Sequence, residues 1–272
     1  MASGRLSVVR GAIRVAGVLL AAATADLAAA AGAAETIPSQ VGCLRLKSDC
    51  GLDTASDDAA AFEQCQEELV HLGGGCVVVP AGQYRVSGVM LNASNTAWFF
   101  EDGVAMEPWP GLQKSVALIS IGASEPTATS SPSNITIMGP PGAQHTGGWT
   151  MDVSRPLFCP WHTHGVQVGS VTGFRIANLL IKQADNETIP NLLCGQDSPA
   201  MGTGKGKDGR SPMYGEVTNI TAVGGTPGYG LIQLQSAQHV HFSNLEGVGG
   251  YTLRLETGGN SGGDPSVMVN NI

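Results

Sequence analysis

The chain has 272 residues, of which only 13% are charged, with 38 Gly, 15 Pro and a formal net charge of −8. That acidic balance argues against nucleic acid as a partner, since a polyanion requires a basic face. Past the start of the chain no run is apolar for the roughly 18 residues that a membrane span requires, and the length suffices for one sizeable core.

Residues 1–34 read as a targeting segment. Arg5, Arg10 and Arg14 precede the apolar run Val15–Ala23, and a small-residue stretch ends at Ala31-Gly32-Ala33-Ala34. This is the order of a secretory signal with its cleavage site, and an Arg/Ala-rich transit peptide is the alternative. Residues 35–272 then form one domain, expected to be extracellular and monomeric. Six cysteines agree with export and predict three disulfides. Pairing by sequence proximity gives Cys43 with Cys50, Cys65 with Cys76 and Cys159 with Cys194, although spacing alone does not fix connectivity. The absence of a CxxC spacing argues against zinc. Sequons at Asn92, Asn134, Asn186 and Asn219 are compatible with secretion.

The segment 57–69 opens with acids and continues at helical period, which predicts a short helix near Ala59–Leu69. Gly73-Gly74-Gly75, the strand Cys76-Val77-Val78-Val79 and the turn Pro80-Ala81-Gly82 follow, leading to Tyr84-Arg85-Val86. A helix placed there closes the open end of a β-stack, whose core and unpaired edge would otherwise meet water. This stretch resembles the N-terminal cap of pectin-lyase-like right-handed β-helix proteins. The resemblance implies an all-β, right-handed parallel β-helix with a short N-terminal capping helix. It leaves function open, because lyases, glycosidases and tailspikes share that fold.

The repeat itself is visible as Asn-(Ile/Leu)-x-x at Asn134, Asn178, Asn219 and Asn244, beginning again at Asn271-Ile272. Asn favours turns, so these residues are expected to turn the chain and stack as an amide ladder. Ile135, Leu179, Ile220 and Leu245, each following its Asn, are then expected to share one interior column. Gly/Pro-rich stretches around 139–163 and 195–215 read as loops thrown out from the coil. The repeat that starts at Asn271 is not completed, which predicts further coils beyond Ile272.

Two later segments alternate with period two, the pattern of half-buried strands: Gly228 to Gln235, and Tyr251 to Thr257. Ile232 and Leu234 face one way, Gln233 and Gln235 the other; Leu253 and Leu255 point inward and Arg254 and Glu256 outward. Gln233 and Glu256 are 23 residues apart (256 − 233), which fits one coil of a parallel β-helix and sets the amide against the carboxyl. Gln167 occupies the place of Gln233, each standing eleven residues before its Asn (178 − 167 and 244 − 233).

This Gln…Glu pair is similar to glycoside hydrolase family 82, the iota-carrageenases. There a strand carries Glu-x-Asp, the Glu as proton donor and the Asp as general base, with a Gln on the preceding coil. The resemblance implies Glu256 as the acid and Gln233 as its partner. Where the base would fall stands Gly258. Residues two apart on a strand lie about 6.7 Å apart on one side, which suits an inverting pair at roughly 6.5–9.5 Å, but glycine accepts no proton. Either Asp264, in the Gly-rich segment that follows, or Glu246 serves instead, or the local register is shifted, or the protein is catalytically weak or dead.

The other substrate-binding candidates are Arg254, Gln235, Gln167 and Tyr229, with Lys205, Lys207 and Arg210, whose cations suit sulfate esters. The Gly-rich run 202–210 lacks phosphate-loop spacing and reads as a solvated insert. His162 and His164 have metal-compatible spacing but no third ligand, while His239 and His241 read as surface residues. No cofactor is required, though structural calcium or another ion has room. The expected partner is an acidic or sulfated polysaccharide, not nucleic acid or membrane. Two alternatives stay open: a pectin or pectate-type β-helix enzyme, disfavoured because its paired Asp within the coils is missing, and a non-catalytic glycan-binding β-helix, favoured by Gly258.

Overall fold

The computed structural model describes residues 42–51, 57–112, 116–123, 128, 130–154, 164–183, 199–224 and 231–256, and the backbone of 267–270. Val/Ile/Thr-rich segments broken by Gly and Asn form short strands, and every strand pairing among the described residues is parallel. Each coil contributes to three faces. The first is built from Gly75–Val79, Thr96–Phe100, Ser133–Met138 and the opening halves of Thr172–Gln183, Met213–Val223 and Gln238–Val248. The second runs from Gly82–Val86 through Val104–Pro108 and Trp149–Val153 into the closing halves of those same long strands. The third is a separate six-stranded sheet: Val89–Leu91, Ala117–Ile121, His164–Val168, Met201–Thr203, Ile232–Leu234 and Leu253–Leu255. This is the parallel β-helix arrangement.

The corner between the first two faces explains the repeated Asn. Asn178, Asn219 and Asn244 hold φ of 62°, 55° and 51°, a left-handed conformation that Asn tolerates better than most residues. Their amides form the expected ladder: Asn244 donates to Asn219 and Asn219 to Asn178, each at 2.9 Å, and Asn178 donates to the Gly139 carbonyl at 3.0 Å. Leu179, Ile220 and Leu245 follow and stack in register inside.

Asn134 departs from this set. It lies opposite Gly173, at an earlier corner, and donates to Asn95 at 2.9 Å. Ile135 is therefore stacked on Phe174, not Leu179; its column continues to Gly215 and Val240. Gly215 is required there, since a Cβ would stand 2.1 Å from the Phe174 ring. The Asn134–Asn178 spacing merged two corners that share a residue type. The two presumed loops are likewise partly coil. Residues 139–154 hold a short helix, Ala143–Thr146, and the second-face strand Trp149–Val153, while Met201–Thr203 belongs to the third face. Their Gly-rich sequences hid short strands that parallel pairing stabilises.

The helix α1 runs Ala59–Leu72, a turn longer than expected, and stops at Gly73 in the left-handed conformation. The Asp57 carboxylate accepts from the amides of Ala59 and Ser87. Phe62 packs on Trp98 and Tyr84 of the first coils, at 5.8 and 6.0 Å between ring centroids. Gln66 donates to the Met90 carbonyl at 2.7 Å and accepts from the Asn92 amide at 2.9 Å, so α1 satisfies polar groups beside the first third-face strand.

The disulfides correct the proximity pairing: Cys43 joins Cys76, and Cys50 joins Cys65. Leu44 pairs with Val77, which sets Cys43 beside Cys76 in adjacent strands. Cys65 lies on the buried side of α1. Contacts across the fold, not separation along the chain, chose the partners. Cys159 and Cys194 lie outside the described residues, as do residues 1–41.

Candidate active site on the third face

Along the outside of the third face Ser120, Gln167, Gly202, Gln233 and Arg254 stand in one register column, on successive strands. Val166, Val168, Ile232 and Leu234 alternate with them and are buried inside. The equal offset before Asn178 and Asn244 thus placed Gln167 and Gln233 on the same outer column. The coil step is shorter than the 23 residues expected. Gln233 pairs with Arg254, a step of 21 residues (254 − 233), so Gln235 is the residue level with Glu256.

The amide still reaches its carboxylate, diagonally. Gln233 Nε2 donates to Glu256 Oε2 at 2.7 Å, and Gln235 Nε2 donates to the same oxygen at 3.4 Å. The Arg254 guanidinium pairs with Oε1. Glu256 is therefore fixed from three sides, with its side chain 29% exposed, and Gln233 is 9% exposed. Buried amides of this kind orient a carboxyl without adding charge. Arg254, expected to bind substrate, instead pairs with the second carboxylate oxygen of Glu256.

Two glycines open the floor beside this cluster. A Cβ on Gly202 would stand 2.3 Å from Gln167 Oε1, so the glycine lets that amide lie across the column. Gly204 lies against both Gln235 and Gln167, at 3.5 and 3.7 Å from where its Cβ would be. Lys205 follows it directly. The presumed insert 202–210 thus begins as a strand of the site itself, then turns tightly through hydrogen bonds between Gly206, Gly209 and Arg210. Lys205 and Lys207 are exposed. Arg210 pairs at 3.6 Å with Asp208, whose carboxylate is 1% exposed, so part of its charge is already met. Gly202 and Gly204 were missed by sequence reasoning; the Gly-x-Gly spacing, two residues on one strand face, was the available signal.

The remaining candidates divide by place. Glu246 belongs to the second face, where it meets Thr221 at 3.5 Å and His145 at 3.6 Å; it is not on the sheet that carries Glu256. His164 Nδ1 bonds the Pro199 carbonyl at 2.9 Å. Among the described residues no group of three His, Cys, Asp or Glu gathers to hold a metal ion. Leu255 stacks on Leu234 yet is 56% exposed, because no later third-face strand among the described residues covers it. Tyr229, Asp264, Gly258 and His162 lie outside the described residues.

No family model matches the chain. It is 28% identical over 239 residues to an iota-carrageenase of Zobellia galactanivorans, covering 85% of this chain and 45% of the relative. With an iota-carrageenase of Alteromonas macleodii it shares 28% over 214 residues, 76% of this chain and 38% of the relative. A crystal structure of an iota-carrageenase of family GH82 from A. fortis superposes with a TM-score of 0.68 at 24% identity, over 87% of this chain and 48% of that one. The chain spans less than half the length of the curated relatives it matches. Across most of its length it is thus similar to iota-carrageenases, and its fold is theirs.

Proposed function

We propose that this protein is a glycoside hydrolase of a sulfated galactan, cleaving β-1,4 linkages of an iota-carrageenan-type polymer with Glu256 as the acid. One observation carries the reading: the Glu256 carboxyl is held by the Gln233 amide from the preceding coil, on an outward face flanked by Lys205. The likeness to iota-carrageenases supports the substrate class. General-acid work requires a positioned carboxyl within reach of the leaving oxygen, and a rigid strand supplies that position. The base is a second carboxylate across the bond, and Asp264 is the residue assigned to it, since Gly258 supplies none. Export of residues 35–272 behind a cleaved 1–34 segment, and the right-handed sense usual for parallel crossovers, belong to the same reading. The two disulfides support the oxidising compartment.

A non-catalytic carrageenan-binding reading is favoured by Gly258 and by the engagement of both Glu256 oxygens. Reducing-sugar release by the mature chain from iota-, kappa- and lambda-carrageenan and from pectins separates the two. Release from carrageenan alone is expected. Binding of carrageenan without release supports the second reading, and release from pectin would overturn both.

A further inference from the structure

One corner column lies outside everything assigned above. It consists of Asn95, Asn134, Gly173, Tyr214 and His239, in register on successive first-face strands. All five have positive φ. For Asn and Gly that is inexpensive, but for a bulky Tyr it is an outlier. Tyr214 gains no interior contact in return, being 58% exposed. Its ring stacks on His239 with centroids 5.0 Å apart and planes 6° apart. The separation matches the rise of about 4.8 Å between coils, so the rings lie flat, one above the other. The second face of Tyr214 then looks down the column to the level of Gly173, where there is no side chain. The Asn134 side chain reaches up to that level, its Oδ1 standing 2.8 Å from where a Gly173 Cβ would be.

From this geometry we infer a sugar-binding slot, in which a galactopyranose ring stacks on Tyr214 while Asn134 Oδ1 accepts from one of its hydroxyls. Tyr214 and Gly173 are one coil step apart, about 4.8 Å, so a flat ring stacked on Tyr214 lies level with Gly173, its edge toward the Asn134 oxygen. The apolar C–H face of a galactose fits the negative face of the phenol ring. The slot also borders the third-face cluster. His239 is four residues beyond Gln235, at most about 14 Å of chain, and the exposed Lys205 and Lys207 lie in the turn leading to Tyr214. One polymer crossing the corner meets both places, Tyr214 holding rings away from the cleavage point. The inference rests on the galactan reading above and extends it.

The full chain carrying Glu256→Gln serves as the binding form, titrated with iota-carrageenan oligosaccharides. Adding Tyr214→Ala should weaken binding about tenfold, the scale of one aromatic stack. Gly173→Asn should do the same by filling the slot, since Asn accepts the φ of +73° and its Cβ displaces only the Asn134 amide oxygen, 2.8 Å away. In the Glu256 parent chain, Tyr214→Ala should raise KM and spare kcat. A second titration uses methyl β-galactoside, read by the Tyr214 and His239 ring resonances; the shifts should vanish in Gly173→Asn. Unchanged oligosaccharide affinity in both variants, or no ring shift with either sugar, overturns the slot. Galactoside shifts at Tyr214 in a protein that neither binds nor cleaves carrageenan would support the slot and overturn the galactan reading.

Discussion

At the scale of single residues, the proposed chemistry rests on Glu256. Gln233 and Gln235 donate to one oxygen and Arg254 pairs with the other, so substitution by Gln preserves the shape and the amide bonds to one oxygen, loses the ion pair and removes the transferable proton. Glu256→Gln is expected to lower carrageenan turnover at least about a hundredfold, the lower end for general-acid catalysis, measured as initial reducing-sugar release. Gly258→Asp should raise turnover above that of the unsubstituted chain by supplying a carboxylate two residues along. Tyr84 offers a different kind of residue-scale test. Its phenol is fully buried beneath α1 and donates to the Pro80 carbonyl. Burial first, then the charges of Asp58 and Glu101, push its pKa well above the ordinary tyrosine value of 10.0. The folded state therefore keeps a proton that the unfolded chain loses near pH 10. The associated stability is intact below that pH and is lost as pH rises toward the folded value. Denaturant midpoints should fall above about pH 10, and Tyr84→Phe should flatten that alkaline slope.

The unit of the elements is the coil, and its weak point is the corner. Asn219 has φ of 55°, donates to Asn178 and accepts from Asn244. Asn219→Ala loses both ladder bonds and adds left-handed strain of about 1–2 kcal/mol. Asn219→Gly loses the bonds but relieves the strain. Ala should therefore be less stable than Gly by about 1 kcal/mol or more in urea unfolding, a reversal of the usual order inside regular structure. Equal losses in the two variants would show that the corner does not hold that conformation in solution.

For the whole molecule, stability at the N-terminal end depends on two cross-links that fasten residues 43–50 to the first strand and to α1. Cys43–Cys76 spans 33 residues and Cys50–Cys65 spans 15. Closing a 15-residue loop is worth about 3 kcal/mol through the unfolded chain. Replacing Cys50 and Cys65 with Ala should lower the thermal midpoint, followed by far-ultraviolet dichroism. Carrageenan binding at Gln233 and Glu256, several coils away, should persist below that midpoint. Loss of binding at temperatures where the dichroism is unchanged would tie the two ends more closely than stacked coils allow.

The alternation of Ile232, Gln233, Leu234 and Gln235 determined by itself which side chains face outward, because side chains along any strand point to opposite sides. The Asn repeat likewise determined the amide ladder, since turn preference and left-handed tolerance belong to that residue type. The apolar side of α1 was legible from helical period. What the sequence could not settle was which residues become neighbours across coils. Parallel pairing set the step at Gln233–Arg254 instead of Gln233–Glu256, moved Ile135 onto Phe174, and joined Cys43 to Cys76. It also turned Gly202 from a loop residue into the floor beside Gln167. Each of these depends on how long the connections between strands are, and a backbone ladder accepts any register that buries the correct face. Local periodicity fixes the face; only the packed stack fixes the neighbour.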